Sequence, residues 1–252
     1  MQVLDILICL SKRVIQFPTT RQQWRVVADD FETIADFNDV AAAIDGSLFD
    51  IESPYEYNGW MCRKGFAAIN MQASVDAHGR FMQFSLRPGS CSDKNLWIMS
   101  SLGARYRNII PDNMNFIGDA GYTLASHLLI PYVIYDGMPR NEKVYNRRHS
   151  QTRIAVERAF GGLKGRWRLL KRTLNMKSPA SCGRTIVAAM VLHNLTIDAG
   201  DDLNLDDRID PYLHGNIPQP VQFGVNNNHG SIDRHFKRNS IKQHLWMMQQ
   251  QY

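Results

Sequence analysis

The chain has 252 residues, 44% of them hydrophobic, and a formal charge of +5. That length sustains one substantial core, so one large domain is expected rather than two. No run approaches the roughly 18 apolar residues of a membrane span, which excludes a membrane partner. The four cysteines (Cys9, Cys62, Cys91, Cys182) show neither C-x-x-C spacing nor a disulfide framework, so reduced thiols in an intracellular protein are expected.

In chain order, MQVLDILICLSKR has a short apolar run without a preceding basic region or a cleavage site, and reads as the end of a helix. Residues 19–36 read as a helix that starts after Pro18 with threonine caps. VAAAIDGSLFDIE is an apolar run interrupted by a turn-forming Asp-Gly. KGFAAINMQASVD and RFMQFSLRPG are strand-like, and the D-A-H-G between them fits a hairpin turn. SDKNLWIMSSLGARYR predicts one helix with Ser92 or Asp93 near its N-cap. NFIGDAGY and LLIPYVIY predict short buried strands, residues 149–172 a basic helix, and SPASCGRTIVAAMVLHNLTIDAG a final apolar helix. Past residue 200 the chain turns acidic and then rich in Pro, Asn and Gly, which predicts a mobile tail with one late helix near KRNSIKQHLWMMQQ. A meander followed by strands alternating with helices predicts an α/β fold, a mixed sheet with helices on both faces. The expected division is a helical segment at 1–36, the main domain at 37–200 and the polar tail at 201–252.

Charge is unevenly spread. Between Arg140 and Lys177 twelve Lys or Arg stand against Glu142 and Glu157, a local balance of +10 that leaves −5 for the rest of the chain. Such a surplus suits a polyanion such as nucleic acid; a solvated helix face is the plainer alternative. Within it, Val156, Phe160, Leu163, Trp167 and Leu170 step by three and four residues and form an apolar stripe facing the core. Glu157 lies beside that stripe, on a face shared with Arg153, Gly161 and Lys164. An ordinary Glu157–Arg153 surface pair contributes under about 1 kcal/mol. Gly161 and Gly162 each cost roughly 1 kcal/mol inside a helix, which is tolerated where something must approach closely.

Two further carboxylates, Asp45 and Asp119, each end a predicted strand before a glycine turn, where ligands of open α/β sheets gather. If these two acids and Glu157 converge, like charges about 4 Å apart repel by on the order of 4 kcal/mol at an effective dielectric of ~20. Divalent cations relieve that repulsion, and an all-oxygen ligand set favours Mg2+ or Mn2+ over zinc. Two such ions would activate water and stabilise the leaving oxygen of a phosphodiester. Lys and Arg around them would hold DNA phosphates. An aspartyl nucleophile at Asp45 is disfavoured, because Ser47 stands where such chemistry wants a second acid.

From Ile15 to Asp198 the chain resembles the nuclease domain of PIF/Harbinger-type transposases and the nucleases derived from them, a DDE superfamily with an RNase H-like core. The resemblance rests on IDGS at 44–47, CRKG at 62–65, INMQASVDAHGRF at 69–81, PGSCSD at 88–93, GDAGY at 118–122, YNRRHSQTR at 145–153, VERAFGGLKGRWR at 156–168 and VLHN at 191–194. It implies a DDE endonuclease triad of Asp45, Asp119 and Glu157, separated by 74 and 38 residues, that is both catalytic and metal-binding with two ions. It also implies DNA as substrate, with Arg153, Lys164, Arg166 and Arg168 as candidate nucleic-acid contacts, and the nucleus as compartment. Asp93 matches a further recurrent acid of that family, for which a supporting or helix-capping role is expected and contact with metal is the alternative, while His193 and Asn194 serve the core. Ser47 stands where the family usually has Thr, and Phe49 where it often has His. The family's helix-turn-helix segment is expected to be missing ahead of this region, leaving sequence-specific recognition to a separate Myb-like partner. The alternative is a catalytically inactive, transposase-derived remnant that binds DNA or protein.

Overall fold

The computed structural model describes residues 3–55, 58–201 and 231–250, without the side chains of 231–234. Three strands form an antiparallel meander: β1 (Val40–Asp50), β2 (Ala68–Val75) and β3 (Phe81–Pro88). The D-A-H-G turn closes the β2–β3 hairpin as expected. The Asp76 carboxylate accepts from the His78 and Arg80 amides, and Gly79 takes a φ of 77° that favours glycine. β4 (Asn115–Ile117) then pairs parallel with β1, and β5 (Leu128–Leu129) parallel with β4, giving the order β3-β2-β1-β4-β5.

Helices cover both faces of this sheet, as an RNase H-like domain requires. β1 divides its apolar residues between two cores: Val40, Ala43 and Phe49 join one, and Ala41, Ala42 and Ile44 join the other. On the first face lie α5 (Arg140–Arg166), through Tyr145, Val156, Phe160 and Leu163, and α6 (Pro179–Asp198), through Ile186 and Met190. On the second lie Trp24 and Ala28 of α2 (Arg21–Ala35), Trp97 of α3 (Asp93–Met99) and Leu102 of α4 (Ser101–Arg105). α1 (Val3–Val14) packs on α6, and α7 (Ser231–Gln249) on α5.

Local chemistry explains most boundaries. Thr20 and Gln23 form a reciprocal capping box at the start of α2, and Ser178 caps α6 just before Pro179. The apolar stripe on α5 is buried as its spacing requires, with Trp167 only partly covered. Asn194 clamps α6 to β3: its amide oxygen accepts from the Phe81 N–H while its amide donates to the Phe81 and Val14 carbonyls. His193 Nε2 lies 3.0 Å from the Gly79 carbonyl. Both therefore serve the core, as expected.

The structure departs from expectation in five places. The Asp-Gly at 45–46 is not a turn, because β1 runs unbroken through it, paired along its length with β2. The single helix expected over 92–107 is two, because Ser100 is extended (ψ 151°) and its hydroxyl caps the second helix by accepting from the Gly103 N–H. The strand expected over LLIPYVIY ends at Leu129, ahead of Pro131, which lacks an N–H for the ladder, and Val133, Ile134 and Tyr135 are exposed. The basic helix begins at Arg140, after Pro139, and stops at Arg166, where Trp167 leaves helical geometry (φ −99°, ψ 74°). The late helix spans all of 231–249; the rest of the expected tail, residues 202–230, lies outside the described residues.

Buried histidines make this core acid-sensitive. Burial lowers the pKa of His149 to about 3 and that of His193 to about 4. Each is neutral in the fold but takes up a proton below about pH 6.5 when unfolded. Stability therefore falls as pH drops from 6.5 toward 4. Replacing His149 with Asn should remove one proton from that linkage, flattening the pH slope of the urea-derived unfolding free energy by about 1.4 kcal/mol per pH unit. An unchanged slope would show that His149 does not carry it.

Candidate active site

Strand register places the first two acids side by side. β1 and β4 run parallel with Ala43 opposite Ile117 as the last pair. Asp45 and Asp119 each follow two residues later, on adjacent strand tracks that lie about 4.8 Å apart where paired. Asp119 is locally tethered, its Oδ1 accepting from the Gly121 N–H at 2.9 Å. Asp45 accepts from the Gly46 N–H at 2.7 Å.

Glu157 reaches the same place from α5 through Arg153, one turn earlier on that helix. The Arg153 guanidinium donates from Nη1 to Asp45 Oδ2 at 3.1 Å and from Nη2 to Glu157 Oε1 at 2.5 Å. The three side chains are 17 to 29% exposed, so water screens the bridge only in part. The carboxylates of Asp45, Glu157 and Asp119 together hold the Arg153 pKa up against the opposing effect of its burial. Thus Arg153 links Asp45 to Glu157, and Asp119 lies close enough to act on the same guanidinium. Burial raises the Asp45 pKa to about 7, with Asp119 and Asp93 adding to the effect and Arg153 and the Gly46 N–H opposing it.

The other side of β1 carries residues whose roles the sequence reading missed. A Cβ on Gly46 would overlap Asp93 Oδ1 and lie 3.3 Å from Asn70 Oδ1. Gly46 is thus a glycine so that a carboxylate can rest against the strand. Asn70 holds that carboxylate, donating from Nδ2 to Asp93 Oδ1 at 3.2 Å and to the Cys91 carbonyl at 2.8 Å. Gln72 donates to the Tyr122 hydroxyl at 2.9 Å. Tyr122 is buried, and its pKa is pushed well above 10 by that burial and by Asp45, Asp93 and Asp119. The signal was present in β2: Asn70, Gln72 and Ser74 place a polar group at every second position of a fully buried strand. Buried polar side chains at period two, with apolar neighbours between, call for partners.

Donor chemistry at the site suits a hard divalent cation. All its free acceptors are oxygens, and the buried Asn70 Oδ1 and Gln72 Oε1 have no hydrogen-bond partner. Among the described residues, however, no three acid, His or Cys side chains lie close enough to enclose an ion as they stand. The guanidinium of Arg153 supplies positive charge between Asp45 and Glu157 instead.

The basic residues divide. Lys164 Nζ donates to the Leu48 carbonyl at 2.8 Å and sits 4.6 Å above the Phe49 ring, and Arg166 pairs with Asp201 at 2.5 Å. Arg168 is exposed on the turn after α5, as are Lys171 and Arg172. Gly161 and Gly162 are buried within an uninterrupted helix. No helix among the described residues is long and apolar enough to cross a membrane.

Comparison with known proteins is consistent with this arrangement. The family model described as "DDE superfamily endonuclease" matches residues 44–194. "Putative nuclease HARBI1" is 30% identical in mouse and 27% in human over 205 residues, 80% of this chain and 58% of either relative. "Protein ALP1-like" from Arabidopsis thaliana is 35% identical over 218 residues, 79% of this chain and 53% of that protein. The chain thus spans little more than half the length of the curated relatives it matches. No solved structure matches.

Replacing Arg153 with Gln would leave two carboxylates without their shared cation. Removing one partner from a fully buried pair costs 3–5 kcal/mol; partial exposure here reduces that to about 1–3 kcal/mol. The loss should be larger at pH 8 than at pH 6, because Asp45 takes up a proton as pH falls through 7. Chemical denaturation at both pH values checks this; equal losses would show that Asp45 is not the group left unpaired.

Proposed function

Because the chain belongs to the DDE superfamily endonucleases, we propose that it is a divalent-metal-dependent nuclease domain acting on DNA, with Asp45, Asp119 and Glu157 as catalytic carboxylates. The observation that carries this reading is the Arg153 bridge from Asp45 to Glu157 beside Asp119. It joins residues far apart in the sequence at the end of the parallel pairing. Asp45, Asp119 and Glu157 would hold Mg2+ or Mn2+, in keeping with two ions. Such a metal, when bound, supplies Lewis acidity to the phosphodiester and lowers the pKa of water.

The chain's own groups then have defined tasks. Asp45 must release its proton before it can serve as a ligand. Arg153 must give up at least one of its carboxylates, which frees a guanidinium for a backbone phosphate. Gln72 orients the Tyr122 hydroxyl beneath the acids, where it stays protonated and can donate a hydrogen bond. Arg168, with Lys171 and Arg172, lies on the surface turn that leaves α5 and would follow the DNA backbone. Nuclear residence and a separate Myb-like protein for sequence-specific recognition belong to the same proposal. A second reading, a non-catalytic remnant that binds DNA or protein, is favoured by the guanidinium already seated between Asp45 and Glu157.

Plasmid nicking with Mn2+ separates the two readings. The wild-type chain should convert supercoiled to nicked DNA, more slowly at pH 6 than at pH 8, and Asp45→Asn should reduce nicking to background. Absence of Mn2+-dependent nicking by a folded preparation would leave only the binding role. For the interface, Arg168→Ala should weaken binding equally across DNA sequences and lower the salt slope by about one. Lys164→Ala should change it less, since that amine is engaged by Leu48. A wild-type slope in Arg168→Ala would remove Arg168 from the contact surface.

A further inference from the structure

A second group of bases stands beside the acids, away from α5. The connection between β1 and β2 contains a tight turn, Cys62–Gly65, with Arg63 and Lys64 at its two central positions. The Gly65 N–H donates to the Cys62 carbonyl at 3.0 Å, and the Cys62 N–H donates to the Phe66 carbonyl at 2.9 Å. Gly65 takes a φ of 83°, which closes the turn with a bulge. The tip is exposed, while Cys62 and Ala67 at the base are buried. Two further bonds tie this connection to the loop that carries Asp93. The Ser90 N–H donates to the Gly59 carbonyl at 3.1 Å, and the Gly89 N–H to the Ala68 carbonyl at 2.7 Å. A Cβ on Gly89 would lie 2.7 Å from the Trp60 carbonyl oxygen and 2.8 Å from that of Ala68, so the segments meet backbone to backbone. Arg63 stands near enough that its charge opposes the rise in the Asp93 pKa caused by burial. Among the described residues, neither Arg63 nor Lys64 makes a hydrogen bond or an ion pair. Two cations on a fixed turn, with no anion of the chain paired to them, are placed for an anion from outside.

The position of this turn complements that of Arg168. Just past β1, Ile51 pairs with Ala67 on one edge and with Leu174, two residues after Arg172, on the other. Met61 pairs in turn with Ala67. The backbones at Met61, Ala67, Ile51 and Leu174 are therefore neighbouring tracks, about 14 Å from first to last. The two basic turns flank the end of β1, too far apart to share one phosphate. We infer that the Cys62–Gly65 turn is a second DNA-backbone contact, in which Arg63 and Lys64 hold phosphates on the opposite edge of β1 from Arg168. This rests on the proposed function only in taking DNA as the substrate, and uses none of its metal chemistry. DNA then lies across the end of β1 with a basic turn on each side, rather than along α5 alone.

The test is binding of a fluorescein-labelled DNA duplex to the full chain in EDTA, followed by anisotropy between about 50 and 200 mM salt. Arg63→Ala and Lys64→Ala should each lower the salt slope by about one, alike on unrelated sequences. Arg63→Lys should keep the slope, because it keeps the charge. Arg63→Ala combined with Arg168→Ala should lower it by about two, because the phosphates are separate. Gly89→Ala should weaken binding with every base retained, because its methyl pushes the turn away from the Asp93 loop. Circular dichroism confirms folding of each variant, and the exposed Arg63 and Lys64 decide the matter should Gly89→Ala not fold. Wild-type slopes in both Arg63→Ala and Lys64→Ala overturn this inference and leave the nuclease reading intact. Lowered slopes in both, with no nicking by the wild-type chain, keep the contact and defeat the nuclease reading. No DNA binding by the wild-type chain defeats both.

Discussion

The arginine that joins β1 to α5 resolves an electrostatic difficulty. Three carboxylates brought to one place repel one another, and burial adds to the cost by removing water from Asp45. Arg153 lies one helical turn before Glu157, so both side chains leave the same face of α5. The guanidinium has two parallel donors, and it spends one on the strand and one on the helix. A lysine, with a single point charge on a flexible stem, would not span both acids in this way.

The sheet is arranged around the same place. β4 is only three residues long and ends opposite Ala43, which leaves the track beside Asp45 open at the sheet's centre. Farther along, the backbone of Leu174 pairs with Asp50 and Glu52 and closes the strand's edge. The interval between holds the acids. On the second face, the polar residues of β2 replace what would otherwise be core, with Gln72 under Tyr122 and Asn70 under Asp93. Burying amides at period two is costly unless they are paired, and their oxygens lack partners. Departures from good core chemistry at alternate positions of one strand mark the place where a fold gives up stability.

Much of this was legible in the chain. The β2–β3 hairpin, the Thr20 cap, the apolar stripe of α5 and the structural roles of His193 and Asn194 follow from local chemistry that neighbouring residues supply. Asp-Gly at 45–46 misled because that pair usually turns the chain. Here the glycine serves a contact with Asp93, 47 positions away, which no local pattern encodes. The division of the basic residues was likewise hidden. Charge counts do not distinguish Lys164, drawn onto the Leu48 carbonyl, from Arg168, left in solvent.

Sequence alone determined the fold class, the family resemblance and the residue types at the three acid positions, because periodicity, capping and spacing are properties of short segments. Only the folded chain decided which charges meet. The register of β1 against β4 sets Asp45 beside Asp119, and the packing of α5 on the sheet brings Arg153, already paired with Glu157 on its own helix, to Asp45. Packing of α3 brings Asp93 against Gly46. Those meetings depend on distances between segments 47 to 108 positions apart. Such distances are set by how helices seat on a sheet, and no single segment carries them.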